Sequence, residues 1–239
     1  MREQSKRAAG AVISFGTTPE AMVYADDVRF HASGAYHFTL ITKNGRATAS
    51  IHGLGETTVI NALAAAAVGV ACDLDLDCIV RGLGNYRGIA GRMSKLSLGQ
   101  HIHLIDDTYN ANPQSMGAAI TSVAQLSANG RAIAVLGGMG ELGDNAGQAH
   151  RDAGKQVFEA GISLLVTVGE AAREIAEGAT AAGMSESSVR SFDAHDAAAE
   201  ATDQALSDGD WVLVKGSRAA RMEKIVEALR EAHSNEESN

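Results

Sequence analysis

The pattern of apolar and polar positions changes near residue 97 and divides the chain into two regions. Before this point, short runs with β-branched and aromatic residues predict strands at 11–15, 22–29, 36–42 and 46–51. Helical patterns follow at 57–71 and 75–83. Asn44-Gly45 separates the last two strands and predicts a two-residue hairpin turn, because both turn positions favour a positive φ.

After residue 97, short apolar strands alternate with Ala-rich amphipathic helices. The strands are predicted at 101–105, 132–136, 164–168 and 211–214, and the helices at 113–128, 146–160, 170–182, 195–206 and 218–232. This alternation predicts a Rossmann-like α/β domain, in which helices cover both faces of a mostly parallel sheet. We interpret the Gly-containing segment 84–97 as a linker, and place the domain boundary between residues 93 and 94.

Composition excludes several classes of partner. The net charge is −9, from 20 basic and 29 acidic residues without a basic block, which argues against nucleic-acid and anionic-membrane binding. No apolar run approaches the roughly 20 residues that span a membrane, and the charged start, residues 1–7, is not a signal peptide. Cys72 and Cys78 lack metal-site spacing, and we predict reduced residues in or near the core. We expect a cytoplasmic monomer.

Residues 106–113, with the sequence DDTYNANP, place two carboxylates, a phenol and two carboxamides between a predicted strand and a predicted helix. One interpretation is a polar turn, because Asn, Asp and Pro are common in turns and helix caps. The other is a ligand site, because ligands of open α/β sheets bind beyond the carboxyl ends of the strands.

Residues 138–143 match the pattern GxGxxG after a predicted strand, which is one signal for a dinucleotide site. Two features argue against that interpretation. Glu141 would put a carboxylate in the phosphate loop, and Asp144-Asn145 separates the last glycine from the helix. We interpret the segment as a loop that presents Glu141. His150, in the following helix, either points back to this loop or is a solvated helix residue.

Three further positions carry candidate chemistry. Lys215, Ser217 and Arg218 follow a strand and open the last predicted helix, where cations and free amides would bind a carboxylate or a phosphate. Asn61 lies in an otherwise apolar helix and is expected to be a buried carboxamide that needs partners. Arg92, at the predicted linker, either reaches across a cleft or is solvated.

Taken together, these motifs resemble the Mur ligase family, in the branch that adds a D-alanyl-D-alanine dipeptide to a muramoyl tripeptide. The DDTYNANP segment is specific to this branch, and the other motifs support it. In order along nearly the whole chain, the matching elements are Asn61-Ala62-Leu63-Ala64-Ala65, Gly91-Arg92, DDTYNANP with Ser115-Met116, Glu141-Leu142-Gly143 and Lys215-Gly216-Ser217-Arg218.

The resemblance implies an ATP- and Mg²⁺-dependent ligase that joins D-alanyl-D-alanine to UDP-N-acetylmuramoyl-tripeptide through an acyl phosphate. It implies that Asn61 faces the adenine, that Arg92 reaches the nucleotide and that Asp107 binds the ribose. No catalytic residue is assigned within this chain. The resemblance places the remaining candidates on the substrate side of the cleft: Tyr109, Asn110, Asn112, Glu141, Lys215, Ser217 and Arg218.

The chain also departs from the family pattern. Thr57 and Thr58 stand where the family has His-Asn, Gly138 replaces an acidic residue, and Ala90 replaces a proline. No G-x-x-x-x-G-K-[ST] phosphate loop is found in the sequence. We therefore expect the end of a central ATP-binding domain (1–93) followed by the C-terminal domain (94–239), with most Mg²⁺ ligands elsewhere. The alternative is a non-catalytic dipeptide- or nucleotide-binding or interaction module derived from the ligase.

Overall fold

A computed structural model describes residues 10–31, 34–55, 57–99, 101–127 and 130–234 of the chain. It consists of two compact units, the first ending at Gly88 and the second beginning at Ile89. Two predictions fall outside the described residues. They concern the charged segment 1–7 and residue 128, the predicted end of a helix. The two units are described separately below.

The first unit is a four-stranded sheet with two helices. The strand order is β1-β2-β3-β4, with β1 parallel to β2 and antiparallel pairs between the others. Leu40 from the sheet and Leu63 and Ile79 from the helices form its core. The elements are β1 (Phe15–Gly16), β2 (Val23–His31), β3 (Ala35–Thr42), β4 (Gly45–His52), α1 (Thr57–Ala71) and α2 (Leu76–Gly84).

Three details of this unit differ from the predictions. The strand predicted at 11–15 is wrong, because β1 spans only Phe15–Gly16 and residues 11–14 belong to no strand. The β3–β4 hairpin is present, but Thr42 pairs with Gly45, so the turn residues are Lys43 and Asn44. The predicted turn at Asn44-Gly45 is therefore wrong by one residue; only Gly45 has a positive φ, of 126°. Cys72 is exposed, so its predicted place in or near the core is also wrong, whereas Cys78 is half-buried.

The second unit is an α/β domain with a six-stranded sheet of order β5-β6-β10-β7-β8-β9, and the predicted fold class is confirmed. Only β5 runs antiparallel to its neighbour. The strands are β5 (Ser94–Leu98), β6 (Ile102–Asp107), β7 (Ala132–Gly137), β8 (Leu164–Val168), β9 (Val189–Phe192) and β10 (Trp211–Lys215). The prediction of a linker as far as residue 97 is wrong, because β5 begins at Ser94.

Helices cover the sheet. Side chains from β6, β7 and β10, such as Leu104, Val135 and Val212, pack against α6 and α7. The alternate residues, such as Ile105 and Leu136, are equally buried and point to the opposite face. The helices are α3 (Pro113–Leu126), α4 (Ala146–Glu159), α5 (Arg173–Ala182), α6 (His195–Asp203) and α7 (Glu223–His233). None of the helices within the described residues has the length and apolar character to cross a membrane.

The backbones of helices α4 and α5 are in close contact where the two helices cross. A Cβ added at Gly154 would lie 1.9 Å from the Ile175 carbonyl oxygen, and one added at Gly178 would lie 2.1 Å from the Arg151 carbonyl oxygen. Only glycine fits either position without moving a backbone. This packing fixes α4, which carries His150, against the rest of the second unit.

Candidate functional site

Three loops that are far apart in the sequence meet at one edge of the second unit's sheet. Strands β6, β10 and β7 are neighbours and parallel, so their carboxyl ends lie side by side. Lys215 at the end of β10 is in register with Asp107 on β6 and with Leu136 on β7. The DDTYNANP turn, the 138–143 loop and the 215–218 segment therefore occupy the position where open α/β sheets bind ligands.

Lys215 lies at the centre of this edge and is only 1% exposed. Its Nζ donates to Asp107 Oδ2 at 2.5 Å and to the Asn110 carbonyl oxygen at 3.0 Å. A lysine is seldom buried unless it is paired. The expectation of a free cation at this position is therefore wrong: Lys215 connects β10 to the turn that follows β6.

The 215–218 segment does not open the last helix, contrary to the prediction. A single 3₁₀ turn, Arg218–Ala220, is followed by a left-handed residue, and α7 begins at Glu223. Met222 is buried and packs directly against Gly216. A Cβ added at Gly216 would lie 2.6 Å from Met222 Cγ. The chain turns to bury this side chain before the helix starts. Arg218 is exposed, 3.4 Å from the Glu223 carboxylate.

The two carboxylates of the turn hold the backbone on either side of Arg92. Asp106 Oδ2 accepts a hydrogen bond from the Gly91 amide at 3.1 Å, and Asp107 Oδ1 accepts one from the Met93 amide at 3.0 Å. Both bonds connect segments that are 14 or 15 residues apart in sequence. Arg92 thus has a fixed backbone position although its side chain is exposed.

Arg92 and Tyr109 form the exposed part of this cluster. The guanidinium carbon lies 4.0 Å from the centre of the Tyr109 ring, within the range of a cation–π contact. Gly91 makes the approach possible: its φ is 75°, and a Cβ there would lie 3.2 Å from the Tyr109 amide nitrogen. The same amide donates to the Gly91 carbonyl at 2.9 Å.

The turn interpretation accounts for both asparagines. Asn112 is the N-cap of α3: its Oδ1 accepts from the Ser115 amide at 2.8 Å, and Ser115 Oγ accepts from the Asn112 amide at 3.1 Å. Asn110 Oδ1 accepts from the Ala111 amide at 2.9 Å. These bonds shape the turn and start the helix. Contacts of either side chain with a substrate stay a prediction.

The loop after β7 presents Glu141, which is exposed and has a φ of 60°. A 3₁₀ turn, Gly143–Asn145, separates the glycines from α4. The glycines therefore do not lead directly into a helix, as a dinucleotide fingerprint requires. His150 points back to this loop, and the solvated alternative is wrong, because the side chain is buried and bonded to Met139.

Asn61 belongs to the first unit and is exposed. Helix α1 buries Val59, Ala62, Leu63 and Ala66, and Asn61 lies on its other face. The expectation of a buried carboxamide that needs internal partners is therefore wrong. The side chain is exposed to solvent, where a ligand can reach it. Its contact with an adenine stays a prediction.

Asp106 and Met93 also belong to this cluster, although neither was predicted as a site residue. Asp106 Oδ1 accepts from the Thr108 amide at 3.2 Å and from its hydroxyl at 2.7 Å, in addition to the Gly91 contact. The Asp-x-Thr spacing is a signal for such a turn. Met93 participates through its backbone amide, and no side-chain pattern could have indicated that.

The described side chains of this cluster do not form a metal site. The described residues contain no group of three or more His, Cys, Asp and Glu side chains that could hold a metal ion. Asp106 and Asp107 accept from amides and from Lys215 instead. The residues of this edge do not fit Mg²⁺.

Comparison with known proteins agrees with this arrangement. Residues 91–218 match the family model for the Mur ligase, glutamate ligase domain. UDP-N-acetylmuramoyl-tripeptide–D-alanyl-D-alanine ligase of Escherichia coli is 35% identical over 198 residues, covering 81% of this chain and 41% of that protein. The Bacillus subtilis ligase of the same name is 31% identical over 219 residues, covering 92% and 47%.

A crystal structure of MurF from Acinetobacter baumannii superposes with a TM-score of 0.82 at 33% identity and covers 96% of this chain and 48% of that one. The chain thus spans about half the length of the relatives that it matches. The family model covers more than half of the chain and includes all three loops of the sheet edge. The chain belongs to the Mur ligase family.

Proposed function

We propose that this chain takes part in the ATP-dependent joining of D-alanyl-D-alanine to UDP-N-acetylmuramoyl-tripeptide, a step of peptidoglycan precursor synthesis. The main support is the meeting of the 106–113, 138–143 and 215–218 loops at one sheet edge around the Lys215–Asp107 pair. The names of the E. coli and B. subtilis relatives agree with this reaction. We also propose that the protein is a cytoplasmic monomer.

In this proposal the domains keep their predicted roles. The first unit, with Asn61 exposed on α1, contributes to the adenine side of an ATP-binding domain. The second unit is the C-terminal domain of the ligase, in agreement with the range of the family model. Arg92 lies at the start of the second unit and supplies a guanidinium for the nucleotide phosphates.

Asp107 is proposed to bind the ribose of the nucleotide. An ionised carboxylate has about four acceptor positions, and Asp107 uses one on the Met93 amide and one on Lys215. Its side chain retains 12% exposure, so a hydroxyl can still reach it. Lys215 and Met93 fix the carboxylate in advance, which reduces the entropy lost on binding.

The dipeptide is proposed to lie along Tyr109, Asn110, Asn112 and Glu141, beside Ser217. Since the ammonium of Lys215 is buried and paired, Arg218 is the better candidate for the dipeptide carboxylate. Its side chain is 70% exposed, and a guanidinium binds a carboxylate through two parallel hydrogen bonds. Lys215 then acts indirectly, by holding Asp107 and the Asn110 carbonyl.

The proposed chemistry has two steps. A carboxylate oxygen of the tripeptide attacks the γ-phosphorus of ATP, and ADP leaves, which produces an acyl phosphate. The dipeptide amine then attacks the acyl carbon; the tetrahedral intermediate expels phosphate, the amine loses a proton and the amide forms. A phosphate loop and Mg²⁺ ligands are not assigned to this chain, so we expect the purified chain to bind ligands without turning over ATP.

Calorimetry with D-alanyl-D-alanine and with ATP tests this proposal and its alternative. The proposal predicts measurable binding of both ligands, weakened by Asp107→Asn for ATP and by Arg218→Ala for the dipeptide. A derived dipeptide-binding, nucleotide-binding or interaction module would bind only one of the two ligands, or neither. A phosphate-release assay with tripeptide precursor, dipeptide, ATP and Mg²⁺ completes the comparison, and robust turnover by the purified chain would contradict the expected lack of activity.

A further inference from the structure

His150 is a buried imidazole that the proposed reaction does not use. It lies on α4 and is 2% exposed. Its Nε2 is 2.8 Å from the Met139 amide nitrogen, and its Nδ1 is 2.7 Å from the Ala146 carbonyl oxygen. An amide nitrogen only donates and a carbonyl oxygen only accepts, so Nε2 is the acceptor and Nδ1 carries the proton. The two contacts thus require a neutral imidazole in the Nδ1–H tautomer.

The position of this ring is set on two sides. The bond from Nδ1 to the Ala146 carbonyl fixes the ring against the first turn of α4. Helix α4 is held against α5 by the glycine contacts at Gly154 and Gly178. On the loop side, an added Cβ at Gly138 would lie 3.6 Å from Nε2, so the loop backbone passes close to the ring.

The peptide that His150 holds is also held by the 215–218 segment. The Met139 amide donates to His150, and the Gly138 carbonyl accepts from the Ser217 amide at 2.9 Å. One peptide unit therefore connects α4 to the segment after β10. The loop that it anchors carries Glu141, and Ser217 is itself buried at 6% exposure.

We infer that His150 is a positioning residue: by accepting from the Met139 amide, it sets the 138–143 loop against Ser217 and so shapes the dipeptide side of the site. The effect on ligand binding rests on the proposed function, whereas the hold on Met139 does not. Without an acceptor in this buried place, the Met139 amide would be left unpaired, which is costly enough for the loop to move.

The tautomer is tested in the unmodified chain. Long-range ¹H–¹⁵N spectra of the labelled protein at neutral pH should show His150 with a protonated Nδ1 and an unprotonated Nε2. The exposed His101 is the internal reference. A protonated Nε2 on His150, in either the other tautomer or an imidazolium, would overturn the inference.

Two substitutions test the positioning. His150→Gln places a carboxamide oxygen near the position of Nε2 and keeps an acceptor, whereas His150→Leu removes it. We expect His150→Leu to speed hydrogen exchange of the Met139 amide about tenfold and to weaken D-alanyl-D-alanine binding by about the same factor, the value of one buried hydrogen bond. His150→Gln should restore most of both losses.

Val157→Ala is the matched control, because Val157 is fully buried on the same helix, about two turns after His150. It should lower stability without changing Met139 exchange or dipeptide affinity. Unchanged exchange in His150→Leu, or a His150→Gln protein no better than a folded His150→Leu protein, would contradict the inference. If His150→Leu does not fold, the inference is tested by the His150 tautomer in the unmodified chain and by exchange of the Met139 amide in His150→Gln. If the unmodified chain does not bind the dipeptide, the proposed function fails, while the tautomer and exchange results still decide the role of His150.

Discussion

Lys215 Nζ lies 2.5 Å from Asp107 Oδ2, and the two side chains are 1% and 12% exposed. The pair joins the ends of two neighbouring parallel strands. Asp107 also holds the Met93 amide, and Lys215 also holds the Asn110 carbonyl. One buried ion pair therefore fixes the segment before β5, the turn after β6 and the end of β10.

Replacement of Lys215 by Met should strongly destabilise the second unit. The substitution keeps the length of the side chain but leaves the Asp107 carboxylate buried without its partner, at a cost of about 3–5 kcal/mol. Trp211 is the only tryptophan and belongs to β10, so its fluorescence in a urea titration reports unfolding of this unit. Lys155→Met removes an exposed pair with Glu159 and is the control, with a loss of less than about 0.5 kcal/mol. Equal losses in the two variants would contradict this role of the buried pair.

Gly91→Ala should cost more than Gly161→Ala. Both glycines have a φ of 75°, so the backbone strain of roughly 1–2 kcal/mol is shared. Only at Gly91 would the new Cβ press against Tyr109, at 3.2 Å from its amide nitrogen; at Gly161 it meets no described atom within 4 Å. Gly91→Ala should therefore also weaken ATP binding by displacing Arg92, whereas Gly161→Ala should leave binding unchanged. Equal ATP affinity in the two variants would count against the proposed role of Arg92.

Asn112→Ala should destabilise the second unit by about 1 kcal/mol, because helix α3 loses its N-cap. Asn112→Ser keeps a capping oxygen and should retain most of the stability. The pair of variants separates the cap from a ligand contact: if Asn112 also binds the dipeptide, Asn112→Ser will lose affinity while it remains stable. Urea unfolding and calorimetry on the same preparations give the two values. Similar destabilisation by Ser and Ala would contradict the capping role.

His103 should make the second unit less stable in mild acid. Burial lowers the pKa of His103 below 6.5, and the charges of Lys95 and His101 lower it further. Its Nδ1 is buried without a hydrogen-bond partner among the described residues. Near and below pH 6.5 the unfolded chain binds the proton more readily, so stability falls as the pH decreases through this window and is recovered above it.

The measurement is the free energy of unfolding at about pH 7.5 and about pH 5.5, on either side of the ordinary histidine pKa. To isolate His103, the prediction concerns a difference between two proteins: His103→Gln should lose less stability over this interval than the unmodified chain. The ring of His103 packs against that of Trp211, with the ring centres 4.4 Å apart and the planes tilted by 52°. Since its substitution changes the surroundings of the fluorophore, circular dichroism should accompany fluorescence. An identical pH dependence in both proteins would contradict the prediction.

In the second unit, the strands that the sequence predicted correctly are the four inside the sheet, β6, β10, β7 and β8. Strands β7 and β8 are buried along their whole length and, apart from Thr167, contain no polar side chain, which leaves few alternatives to a central strand. Strands β5 and β9 lie at the two edges of the sheet and consist mostly of exposed and half-buried residues. Their short polar sequences give little signal, because pairing with a neighbouring strand determines them.

The candidate site was also predicted only in part. The residue types were recognised from motifs, and the shared sheet edge followed from strand-end positions. The pairing of Lys215 with Asp107 could not be predicted, because it depends on the insertion of β10 between β6 and β7. The late start of α7 was missed for a related reason: burial of Met222 outweighs the helical pattern that begins at Arg218.

The central claim is that this chain carries the dipeptide- and ribose-binding part of a ligase. It is tested most directly by a chimera in which the matched 81% of this chain replaces the corresponding 41% of the E. coli ligase. With ATP, Mg²⁺, tripeptide precursor and D-alanyl-D-alanine, the chimera should form the pentapeptide product, detected by mass. Asp107→Asn in the same chimera should raise the KM for ATP. A folded chimera that binds ATP and tripeptide precursor but forms no product would contradict the account.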